Sequence, residues 1–134
     1  MKITLIIPPS PFLLDEKVFM SLGILKVAAA LEPYHDVNVM DLSGDRGYLH
    51  TIKQYLRTNQ VDLVGITATT PQLPNVVLIN QIIKEFNIPV ILGGPHVTLI
   101  NSAYKKEQSK NFVGRATKAM NNICLLYTSP SPRD

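Results

Sequence analysis

The sequence predicts an α/β fold, a doubly wound parallel sheet of the flavodoxin-like or Rossmann-like kind, and three observations carry this. Short apolar runs rich in β-branched residues, at Ile3–Ile7 (ITLII), Val61–Ala68 (VDLVGITA) and Val90–Leu92 (VIL), suit strands covered on both faces. Amphipathic stretches of helical period lie between the strands. The resulting order, β-α-β-α-β-α-β, is the one that right-handed crossovers build into a parallel sheet. Four strands are present and no fifth precedes the tail, so the domain reads as incomplete.

The first strand ends at Pro8-Pro9-Ser10-Pro11, because proline removes a backbone donor and restricts the residue before it. In SLGILKVAAALE, Leu22, Leu25, Ala29 and Leu31 fall near helical spacing, Ala28–Ala30 favour helix, and Pro33 closes the element. Val37, Val39 and the alternation through Asp41 make the second strand, stopped by Ser43-Gly44. Tyr48, Ile52, Tyr55 and Leu56 predict a second helix ending near Asn59. After the third strand, Pro71 and Pro74 mark a loop, and Val77, Leu78, Ile82 and Phe86 carry the third helix. Asn87-Ile88-Pro89 turns into the fourth strand, which stops at Gly93-Gly94-Pro95.

From Asn101 to Asn122 the chain is polar and weakly helical, with a break expected near Gly114. Residues 1–100 thus form the α/β domain and 101–123 its polar continuation. The tail, 124–134, has neither helical nor strand periodicity, and its two Ser-Pro pairs forbid a regular element. It resembles a translated frame of the transposase adapter used in sequencing libraries and is read as non-native; a disordered natural C-terminus is the alternative.

A chain of 134 residues suffices for one ordinary domain. With 46% hydrophobic and 17% charged residues it has the composition of a globular protein. The net charge of +3 is spread along the chain without a Lys/Arg cluster, so no nucleic-acid partner is expected. No apolar stretch reaches membrane-spanning length, and Ile3–Ile7 meets Pro8-Pro9 instead of a small-residue cleavage site. A cytoplasmic protein without membrane contact follows as the expectation. The lone cysteine, Cys124, excludes a disulfide within the chain and any multi-thiolate cluster on it.

In an open parallel sheet, ligands sit beyond the carboxyl ends of the strands, near the point where strand order reverses. Three loops answer to that: Pro8–Leu14, Thr67–Leu73 and Gly93–Thr98. Thr67, Thr69 and Thr70 bring hydroxyls to a strand end, for ligand contact or simply as strand formers and helix caps. Gly93 and Gly94 leave space for a bulky flat group, or merely make a strand-to-helix turn. A dinucleotide or P-loop site is excluded, since PPSPFLL follows the first strand where G-x-G-x-x-G or G-x-x-x-x-G-K-[ST] would stand. Of the three histidines, His35 and His50 read as surface residues, whereas His96 follows Gly-Gly-Pro at the ligand edge. No catalytic set and no metal-ligand spacing is present, and Asp15-Glu16 reads as a solvated loop or a helix start.

These pieces together resemble a family. Pro8-Pro9, Leu22-Gly23-Ile24-Leu25, Ala28-Ala29-Ala30-Leu31-Glu32, Val39-Met40-Asp41, the run Asp62–Thr69 and the run Val90–Thr98 match in order and spacing the N-terminal cobalamin-binding domain of B12-dependent radical SAM enzymes. The resemblance covers Met1–Leu99. It implies a corrin ring over the carboxyl edge of the sheet and a nucleotide tail in a slot beside the third and fourth strands. Pro9, Ser10 and Leu13 would then border the corrin, while Thr67, Ala68, Thr69 and Thr70 meet the tail. Gly93, Gly94 and Pro95 would leave it room, with His96 near the tail or ring edge.

Two departures limit what the resemblance implies. Methionine-synthase-type corrinoid domains use D-x-H-x-x-G after the first strand, and that loop here has no histidine, so no cobalt ligand is assigned. The C-x-x-x-C-x-x-C motif is also absent, so the 4Fe-4S cluster and S-adenosylmethionine are expected only in a fused radical SAM domain farther along a full-length protein. The alternatives are a Rossmann-like transferase domain for a nucleotide-linked substrate and a ligand-free interaction domain.

Overall fold

The computed structural model describes residues 1–13, 15 and 21–127. Leu14, Glu16 and residues 128–134 of the tail, on which expectations were placed above, lie outside the described residues. Four strands, β1 (Lys2–Ile7), β2 (Asp36–Asp41), β3 (Leu63–Thr67) and β4 (Val90–Gly93), form one parallel sheet in the order β2-β1-β3-β4. The helices are α1 (Leu22–Leu31), α2 (Tyr48–Thr58), α3 (Leu73–Lys84), α4 (Pro95–Ser109) and α5 (Arg115–Tyr127), with a 3-10 turn at Thr70–Gln72. The α/β class and parallel sheet expected from the alternating runs are thus the architecture observed. Among the described residues no helix is long and apolar enough to cross a membrane.

Because side chains alternate along a strand, the register divides the sheet into two faces. On one face, Ile6, Val64, Ile66 and Ala68 pack with Ile52 and Leu56 of α2 and Val76, Ile79 and Ile83 of α3. This is the main core; Val64, Val76, Ile79 and Ile83 have no exposed surface at all. The opposite face carries Ile3 and Leu5 of β1, which pack on Ile24 and Ala28 of α1. Helix α5 packs on α4, α3 and β4.

Several boundaries and faces differ from expectation, each for a physical reason. Helix α1 buries Ile24 and Ala28 at a spacing of four, while Leu22 and Leu25 are exposed at 63% and 39% and Ala29 is exposed too, so the apolar face expected from Leu22, Leu25 and Ala29 is out of phase. β3 begins at Leu63, two residues after the expected Val61, and Asp62 just before it is tied to β1: its N–H donates to the Lys2 carbonyl, and its carboxylate accepts the Lys2 N–H at 2.7 Å. Pro74 sits in the first turn of α3, where the missing N–H would have had no helical partner. Pro95 likewise opens α4 behind Gly94 at φ +95°, so the helix starts six residues before Asn101 and Gly93–Thr98 is a strand end, a turn and a helix start. The break near Gly114 is present, and α5 then runs through Tyr127, into the segment read as irregular tail.

The turn between α4 and α5 is held by one carboxylate. Glu107 accepts the N–H groups of Gly114, Ala116 and Thr117 and the Thr117 hydroxyl, at 2.6–3.1 Å. The Thr117 hydroxyl, helped by the three amides, holds the Glu107 pKa below the ordinary value.

Candidate functional site

Between β1 and β3 the chain reverses its direction of travel across the sheet, so the loops leaving these two strands diverge at their carboxyl ends. On the α1 face, beside that point, lies a cleft of about 560 Å³. Its floor is set by register. Leu5, Gly65 and Ile91 stand in one row across three strands, with Thr67 and Gly93 paired in the next row toward the carboxyl edge. Leu22, Ile24 and Val27 of α1 form the wall, and Gly94 and Pro95 close the end.

Two missing side chains shape this cleft. A Cβ on Gly65 would stand 2.7 Å from Leu5 Cδ2, so a glycine in mid-strand keeps the floor low. A Cβ on Gly93 would meet nothing within 4 Å, so its position faces open space in the cleft. Gly94 answers to a different constraint. Its φ is in the left-handed region, and a Cβ there would fall 2.6 Å from Thr67 Oγ1 and 2.8 Å from the Ala68 nitrogen. The second glycine is therefore what lets α4 start hard against the end of β3, and the space for a ligand comes from the first.

The candidate residues divide into two groups. Thr67, Gly93, Gly94 and Pro95 line the cleft. Pro9, Ser10, Ala68, Thr69, Thr70 and His96 instead tie the strand exits to one another. The Ala68 N–H donates to the Gly93 carbonyl and its own carbonyl accepts the His96 N–H, both at 3.1 Å. The Thr70 hydroxyl and His96 Nδ1 share a hydrogen bond of 2.9 Å, and His96 is buried at the first turn of α4. Asn75 donates to the Pro9 carbonyl at 3.4 Å and accepts from the Tyr48 hydroxyl at 3.2 Å. Burial raises the Tyr48 pKa. Leu13, with Phe12, is exposed on the first loop, outside the cleft, its N–H donating to the Ser10 carbonyl.

Sequence reasoning missed Gln72, which is buried between the loops and bonded to Pro8, Ser10 and Thr69. It also passed over Gly65, whose signal was available: a glycine inside a β-branched run marks a close approach. His50 is exposed, and His35 lies near the chain's amino group, 3.4 Å from it. Among the described residues no three His, Cys, Asp or Glu side chains converge as a metal site would require.

The B12 binding domain family matches residues 16–123. A relative from Pyrococcus horikoshii, described as an uncharacterized methyltransferase, is 32% identical over 103 residues. That match takes in 73% of this chain and 22% of the relative, so the chain spans about a fifth of the relative's length. No solved structure gives a significant match. With an α/β sheet open at its carboxyl edge and more than half of its residues matched by one family, the chain belongs to the B12-binding domain family.

Proposed function

We propose that the chain is the cobalamin-binding module of a longer B12-dependent radical SAM enzyme that transfers a methyl group. The observation that supports this most is the cleft on the α1 face: apolar, about 560 Å³, and floored by two glycines in neighbouring strands. Its shape suits a flat, apolar appendage inserted along the strands, and its mouth opens at the edge where the larger part of such a ligand would rest. The dimethylbenzimidazole base that ends cobalamin's nucleotide tail has that form, so the residues present fit that part of the group, with its ribose and phosphate toward the mouth.

In this reading Leu5, Gly65, Ile91 and Gly93 receive the tail, with the Thr67 hydroxyl at the mouth as hydrogen-bonding partner. Pro9, Ser10 and Leu13 border the corrin, and Ala68, Thr69, Thr70 and His96 hold the supporting loops. Bound cobalamin would supply a cobalt centre that carries a methyl group. The loop after β1 contains no histidine, so no residue of this chain is assigned as a cobalt ligand. Any iron–sulfur cluster and S-adenosylmethionine belong to a fused catalytic domain, and the whole protein works in the cytoplasm.

Mixing the purified chain with hydroxocobalamin, gel-filtering and reading the visible spectrum tests the binding half. Corrinoid absorbance should elute with the protein at close to one equivalent. Protein that is folded by circular dichroism yet emerges colourless would refute it. For the enzymatic half, the full-length gene should encode C-x-x-x-C-x-x-C, and a gene without that motif would remove the radical SAM assignment.

A further inference from the structure

Gln72 lies on the 3-10 turn after β3, 62 residues from Ser10 in sequence, and is buried against the exit of β1. Its side-chain amide uses both ends. Oε1 accepts the Thr69 N–H at 3.0 Å and the Thr69 hydroxyl at 3.2 Å. Nε2 donates to the Pro8 carbonyl at 3.1 Å and to Ser10 Oγ at 2.7 Å. A carbonyl only accepts and an N–H only donates, so the amide has one permitted orientation. The two loops it joins are those that diverge where the strand order reverses.

We propose that Gln72 is a positioning residue that locks the β1 and β3 exits together and presets the rim on which the corrin of cobalamin rests. The inference depends on the cobalamin-binding reading for its ligand, but not for the lock itself. Pro8, Pro9 and Pro11 offer no backbone N–H, so the first loop has few means of fixing itself, and a donor arriving from the neighbouring loop supplies what it lacks. Thr70 and His96 continue the tie from the β3 exit to α4. Three strand exits are thereby held in one frame before any ligand arrives, which lowers the ordering cost of binding.

Glutamate at this position separates local capping from the lock. A carboxylate still accepts the Thr69 N–H but has nothing to donate to Pro8. Amide exchange in the unliganded chain at pH 8 should therefore show Gln72→Glu with a protected Thr69 and at least fivefold faster exchange at Leu13, whose N–H donates to the Ser10 carbonyl. Gln72→Met should speed both. Hydroxocobalamin affinity, by equilibrium dialysis, should fall about tenfold in Gln72→Glu and recover as pH is lowered and the carboxyl regains a proton to donate; the wild-type chain should lack that recovery.

A wild-type exchange rate at Leu13 in a folded Gln72→Glu chain would overturn the lock. Undiminished affinity in that variant would overturn the claim that the lock presets the rim for the corrin. Should neither Gln72 variant fold, Ser10→Ala, which removes one receiving group, takes the same exchange measurement: faster exchange at Leu13 supports the lock, and a wild-type rate overturns it. A wild-type chain that ignores hydroxocobalamin would sink the functional reading, while the exchange arm would still decide the lock.

Discussion

Gly93→Leu isolates the cleft from the fold that surrounds it. Gly93 ends β4 opposite Thr67, lines the cleft, and has nothing within 4 Å of where a Cβ would stand. Its backbone is not left-handed, so leucine brings no strain and stability should stay within about 0.5 kcal/mol of wild type. The effect on binding should be large. A large aromatic group buries on the order of 150–250 Å². At ~25 cal/mol per Å² its insertion contributes about 4–6 kcal/mol. Leucine fills one side of a 560 Å³ cleft instead of all of it, so about half of that should be lost. A loss of about 2–3 kcal/mol is a roughly 30- to 150-fold weaker Kd. Isothermal titration with hydroxocobalamin, paired with a thermal melt, reads both quantities. Full affinity in a folded Gly93→Leu chain would show that the nucleotide base goes elsewhere and would refute the reading of the cleft.

Gly94→Ala should behave in the opposite way, lowering Tm through about 1–3 kcal/mol of backbone strain and a collision with Thr67 and Ala68; an unchanged Tm would contradict the close approach of α4 to β3. Ile79→Ala, at a fully buried position shared by α3 and the sheet, should cost about 2–5 kcal/mol in urea unfolding at constant m-value. Glu107 has a folded-state pKa below its ordinary value, so its contribution is present above the unfolded pKa and fades as pH falls through the folded one. Protection of the Gly114, Ala116 and Thr117 amides, taken relative to their intrinsic exchange rates at each pH, should fall in acid, and Glu107→Gln should lower it already at neutral pH.

The strands were legible because burial on both faces of a parallel sheet demands continuous β-branched runs, and Ile3–Ile7 and Val64–Ile66 meet that demand. The helix starts were harder. Pro74 and Pro95 read as loop markers, yet each occupies a first turn, where proline suits a helix as well as it ends one. The phase of α1 misled because Leu22 overhangs a cleft instead of entering a core. At the site, Thr67 and Gly93 were placed by topology alone, since strand ends must share an edge. Gln72 stayed hidden, because a bond to a partner more than sixty residues away leaves no local pattern, and glutamine has no special backbone habit to betray it. The reason for Gly94 also needed coordinates: sequence tells that a glycine is there, not which neighbour forbids a side chain.

The five residues of β3 serve two masters in alternation. Val64 and Ile66 point into the main core, whereas Leu63, Gly65 and Thr67 look toward the cleft. On the proposed reading of the cleft, Gly65 and Thr67 therefore answer to the ligand, while Val64 and Ile66 answer to the fold, as does Leu63 through its packing on the cluster of Ile3 and Leu5. Saturation mutagenesis of Val64–Thr67, scored separately for melting temperature and corrinoid retention, should trace a comb whose teeth swap between the two scores. A module of this build could change what it carries without relearning how to fold.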